Sequence, residues 1–131
     1  MKIWISMLTL LLGLTASGCF VDLDRPGHYH DDAILTVEWS IDGRTDPREC
    51  RASGADYAYV RVESGDGVVD EQEVPCEDFG TDFWLPPGRY WVVIVLLDRR
   101  HNDRTETVET DRRYLDDGDF IEVDFPADSF L

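Results

Sequence analysis

The sequence predicts an all-β protein, an antiparallel β-sandwich of about seven strands pinned by one disulfide. Three observations carry that prediction. Apolar and polar residues alternate at period two along most of the chain after residue 32, as strands with one buried face require. Clusters of Gly, Pro and Asp recur at intervals of roughly ten residues, the spacing of strands joined by turns. The long apolar run in this region, Tyr90-Trp91-Val92-Val93-Ile94-Val95-Leu96-Leu97, has strand length and is bracketed by Pro86-Pro87-Gly88 and Asp98. A chain of 131 residues has room for one such domain.

The elements follow in order. Lys2 and the apolar stretch Ile3 to Leu14 have the flanks of a signal-peptide core. That stretch is too short to cross a hydrocarbon layer about 30 Å thick as a helix. Residues 20–32 hold Pro26, Gly27, two His and four Asp without periodicity, the composition of a tether. Leu35, Val37, Trp39 and Ile41 alternate with Thr36, Glu38 and Ser40 in a first strand, closed by Asp42-Gly43. A helical turn is expected near Asp46 to Ser53. Ala58, Val60 and Val62 form the inward face of a second strand, which Ser64-Gly65-Asp66-Gly67 turns into a hairpin. The return strand, Val68 to Val74, carries Asp70, Glu71 and Glu73 and reads as a charged sheet edge. A short strand over Thr81 to Leu85 precedes Pro86-Pro87-Gly88, and the apolar run Tyr90 to Leu97 is a central strand buried on both faces. Thr105 to Thr110 is a Thr-rich strand. A final strand points Ile121, Val123 and Phe125 inward and Glu122 and Asp124 outward.

The segment Leu14-Thr15-Ala16-Ser17-Gly18-Cys19 resembles a bacterial lipobox, in which cleavage occurs before a cysteine that receives lipid. The resemblance implies a leader over 1–18, a lipidated Cys19 with a tether over 19–32, and a sandwich over 33–131. Several acyl chains on Cys19 make membrane attachment stable where one would not. Ala-Ser-Gly also satisfies an ordinary signal peptidase, so a free secreted protein is the alternative. Phe20 rather than Asp after the cysteine favours the outer membrane, as the family's sorting rule implies. With Cys19 lipidated, Cys50 and Cys76 remain as an even pair in an oxidising compartment. Their disulfide would close a loop of about 27 residues, worth roughly 3.5 kcal/mol in the chain-entropy account. Leu85-Pro86-Pro87-Gly88-Arg89-Tyr90-Trp91-Val92-Val93 resembles the Pro-Gly-x-Tyr turn of prealbumin-like and carboxypeptidase-regulatory-like domains. That resemblance implies an immunoglobulin-like sandwich, the kind of accessory module carried by small Gram-negative lipoproteins, and brings no catalytic residues with it.

Charge narrows the function. There are 28 Asp and Glu against 12 Lys and Arg, a formal −16. Nucleic-acid binding needs clustered cations to displace counterions, so no nucleic-acid partner is expected. Lys2 leaves with the leader, and the rest carries 28 acids against 11 arginines. His28-Tyr29-His30-Asp31-Asp32 has metal-ligand residue types but lies in the tether, so no metal site and no cofactor is assigned. Asp116, Asp117 and Asp119, and Asp66 with Asp70, suit calcium by chemistry but lack the spacing of an EF-hand loop. No Gly-x-Ser-x-Gly nucleophile elbow and no phosphate-cradling loop is present. The expectation is a non-enzymatic, lipid-anchored envelope module with a protein or glycan partner; a carbohydrate- or calcium-binding module is the alternative. Trp39 and Trp91 are assigned to the core. Trp84 and Tyr59 are the candidate ligand-facing aromatics, grouped with Tyr57 near the Pro-Pro-Gly turn.

Overall fold

The computed structural model describes residues 32–131. The expectations for Cys19, His28 and His30 lie outside the described residues. Eight strands form two sheets: β1 (Ala33–Ile41), β2 (Tyr57–Ser64), β3 (Gly67–Pro75), β4 (Gly80–Leu85), β5 (Gly88–Leu97), β6 (Val108–Glu109), β7 (Arg113–Leu115) and β8 (Gly118–Phe125). One sheet has the order β4-β1-β8; the other runs β3-β2-β5-β6, with β7 also on β5. The core lies between them. Leu35, Val37, Trp39, Ile41, Phe83, Leu85, Ile121, Val123 and Phe125 enter from the first sheet, and Ala58, Val60, Val62, Val92, Ile94 and Leu96 from the second. Each fully buried large side chain contributes about 1.5–3 kcal/mol of transfer free energy, which makes this alternation the main stabilising feature.

Local chemistry sets the ends of the elements. Asp42 and Gly43 have φ of +50° and +71°, the double positive φ of a type I′ turn, and Ile41 and Arg44 bridge across it. Helix α1 (Pro47–Ser53) begins where the Asp46 carboxylate accepts from Arg48 N at 2.9 Å, with Pro47 in the first turn, and Gly54 at φ +71° closes it. Its buried Cys50 is bonded to Cys76, in the 3₁₀ turn Cys76–Asp78 that follows β3. Trp39 Nε1 donates to the Cys76 carbonyl at 2.9 Å, so the sulfur bridge and the central tryptophan fix one another.

Several expectations need correction. Among the described residues the strands number eight, where about seven were expected. Not all pairing is antiparallel, because β1 and β8 run parallel from Ile34–Gly118 to Ile41–Phe125. The Thr-rich strand shrinks to Val108–Glu109, for a physical reason: its threonines offer hydroxyls where a strand would offer carbonyls. Thr105 Oγ1 accepts from Leu96 N at 3.1 Å, and Thr110 Oγ1 accepts from Val92 N at 3.0 Å. The edge of β5 is therefore satisfied with little ladder. Strand β7, in a segment assigned to no strand, pairs Arg113, Tyr114 and Leu115 with Tyr90, Arg89 and Gly88. The charged edge expected at β3 is in place, outermost in its sheet.

Candidate functional site

Alternation that buries Ala58, Val60 and Val62 turns Tyr57, Tyr59, Arg61 and Glu63 to the outer face of the five-stranded sheet. On the neighbouring strand the same face carries Trp91, Val93, Val95 and Leu97, opposite Glu63, Arg61, Tyr59 and Tyr57 in register. A web of polar contacts ties this face together. The Tyr59 hydroxyl donates to Glu71 Oε2, and that bond, followed by burial, raises the phenol above its ordinary pKa. Tyr57 stacks on His101 with ring centroids 5.0 Å apart, and His101 Nε2 lies 2.7 Å from Glu73 Oε1. Trp91 Nε1 donates to Glu63 Oε2 at 2.8 Å, while Glu63 Oε1 lies 3.0 Å from Arg61 Nε. The Arg112 guanidinium lies over the Trp91 ring, 4.6 Å from its centroid. Trp91 is thus half-buried on the outer face, which corrects its assignment to the core; a strand apolar on both faces does not fix which face is covered by the second sheet.

Trp84 lies elsewhere. It pairs with Ile34 on the outer face of the three-stranded sheet and is 55% exposed. Phe120, 44% exposed, is on that face too, opposite Thr36. Trp84 and Tyr59 therefore sit on opposite outer faces of the sandwich and do not form one platform with Tyr57. Of the six strongly exposed large apolar residues described, Val68, Val69, Trp84, Tyr114 and Phe120 gather at one end of the sandwich, and Leu131 is at the other. The register shows this: the start of β1, the end of β4, the start of β5, the β2–β3 hairpin and the start of β8 all meet there. Asp32 leads the chain into the same end. Phe120 was legible in the phase of the last strand, since inward Ile121 forces its neighbour outward. Tyr114, in a segment without periodicity, had no such signal.

The acidic residues mostly serve structure. Asp98, beside a depression of about 480 Å³ lined by Asp56, Asp98, Arg99, Arg100 and Asn102, accepts from Asn102 N and Arg100 N. Those backbone donors, Asn102 first, hold its carboxyl below the ordinary range, as suits a turn residue rather than an acid or base. Asp119 accepts from its own strand at Phe120 N and faces Arg113 Nη1 at 3.3 Å. Among the described residues, no three His, Cys, Asp or Glu side chains converge as metal ligands. Among them, too, no helix is long and apolar enough to cross a membrane.

No known protein-family profile matches the chain. No curated protein matches it either. Among solved structures, the chain is similar to a candidate adhesin from Bacteroides ovatus, with a TM-score of 0.42 and 14% identity over 71% of this chain. It spans 46% of that protein's length, under half.

Proposed function

We propose that the protein is a lipid-anchored component of the cell envelope, with a leader over 1–18, lipid on Cys19, a tether over 19–32 and a non-enzymatic binding module over 33–131. The outer membrane is its place, following the Phe20 reading. A protein or glycan of the envelope is its partner. The observation that carries the binding reading is the apolar collar of Val68, Val69, Trp84, Tyr114 and Phe120. Large exposed aromatics gathered at one end of a small domain mark contact surfaces, because solvating them costs free energy that a partner recovers. Their position, where the tether enters, directs the contact toward whatever surrounds the anchor.

Two measurements test this. Metabolic labelling with a fatty-acid analogue is expected to mark the wild type and not Cys19→Ser; an unlabelled wild type refutes the anchor. Chemical crosslinking in intact envelopes is expected to yield a discrete adduct that Tyr114→Ser with Phe120→Ser abolishes. An adduct pattern indifferent to both substitutions refutes the collar as the contact surface.

A further inference from the structure

The collar is apolar, but on the β5–β7 side it adjoins two arginines, Arg89 and Arg112, set among acids. Arg89 stands opposite Tyr114 in register, two residues from Trp91 on the same outward phase of β5. Arg112 covers Trp91. The chain has more than twice as many acids as bases. Arg44, Arg48, Arg61 and Arg113 each have a carboxylate partner within 4 Å. Among the described residues Arg89 and Arg112 have none, nor do Arg51, Arg99, Arg100 and Arg104; what sets Arg89 and Arg112 apart is the aromatic ring beside each. The nearby Glu63 is already engaged by Arg61 and by Trp91 Nε1. Glu109, opposite Val93, and the exposed Asp111, Asp116 and Asp117 complete the charged surroundings.

The arrangement has the parts of a built anion site. Trp91 donates its indole N–H to Glu63, and the Arg112 guanidinium lies over that anchored ring, which limits the conformations it explores. Preorganisation of this kind lowers the ordering cost of forming a two-point hydrogen bond to a carboxylate or phosphate. Arg89 supplies a second fork, and the Tyr114 ring, 63% exposed, lies next to it. A flat aromatic ring beside a guanidinium matches a sugar ring bearing an acidic group: the C–H face of the pyranose packs on the ring while the acid meets the fork. The exposed Tyr114 ring and the two guanidinium groups follow one strand pair, an arrangement that suits an extended chain.

We infer that Arg89, Arg112 and Tyr114, on the Trp91 support, bind an acidic polysaccharide at the tether end of the sandwich. This rests on the binding reading above and names its ligand class. The probe is a uronic-acid oligosaccharide titrated into the full chain in detergent at low ionic strength, followed by calorimetry and by Trp fluorescence. Saturable binding that weakens as salt rises is expected. Arg112→Ala and Arg89→Ala should each weaken it about tenfold, the scale of one charge-assisted fork. Arg112→Lys should recover only part of the loss, because lysine keeps the charge and loses the plane. Arg44→Ala, at the far end, should bind as wild type. Circular dichroism confirms folding of each variant. The proposal is overturned if the oligosaccharide fails to bind, if a neutral glucan or polyglutamate binds equally well, or if neither arginine variant weakens binding. A failure here alongside a collar-dependent crosslink removes the saccharide and leaves the binding module standing.

Discussion

At the scale of single residues, Trp39 does the most. It is buried in the central strand of its sheet, and its indole N–H satisfies the Cys76 carbonyl next to the disulfide. Trp39→Phe removes the donor, strands a carbonyl and leaves a small void. A loss of about 2–4 kcal/mol in unfolding free energy is expected by urea titration. A change below 1 kcal/mol would mean that the carbonyl finds another donor. Trp39 was legible in the sequence, because its neighbours Val37 and Ile41 fix its phase. Trp91 was not, since every neighbour in its strand is apolar and phase carries no information there. Tyr59 and Trp84 both lie on outward phases, yet alternation says nothing about which of two sheets a strand joins, so their separation onto opposite faces was invisible.

At the scale of elements, ends are decided by side chains that imitate backbone. Thr105 and Thr110 replace ladder carbonyls with hydroxyls, which is why a sequence with strong β-propensity yields only a two-residue strand. Asp46 does the same at the start of α1. The hydrogen bond from the Arg48 side chain, then that from Arg48 N, holds its carboxyl at about 2, below its ordinary 3.8. The folded state thus prefers the charged form, so the cap's contribution is present above pH 4 and fades as pH falls toward 2. The site is exposed, and salt screens part of the effect. Amide exchange of Glu49 and Cys50 is expected to accelerate, relative to β-strand amides, between pH 4.5 and pH 2. In Asp46→Asn that pH dependence should flatten; an identical slope would exclude Asp46 as the titrating cap. The strands with one buried face were readable because a period of two leaves one solution; α1 was readable from its Asp-Pro start and Gly end. Strand β7 was not, because its three residues are placed by Leu115 in the core rather than by any pattern.

At the scale of the molecule, two unlike devices offset strong self-repulsion. One is the shared core; the other is the Cys50–Cys76 bridge, which ties α1 to the turn after β3. With a sequence separation of 26 between its ends, the bridge removes about 3.5 kcal/mol of unfolded-state entropy. Cys50→Ser with Cys76→Ser is expected to lower unfolding free energy by about that amount, and reductant should do so for the wild type alone. A double variant with an unchanged urea midpoint would contradict this.

The parallel pairing of β1 with β8 also orders events in time. The central strand of the three-stranded sheet is the first strand of the described residues, and one of its two partners is the last. Ser40 and Asp124, joined by a 2.8 Å hydrogen bond, are 84 residues apart. Until β8 arrives, Trp39 and its apolar neighbours have an open flank, and loop-closure entropy makes the final pairing slow. A chain whose β8 has not yet docked therefore carries an unpaired strand edge, a state in which abundant negative charge keeps neighbouring chains apart until the sandwich closes.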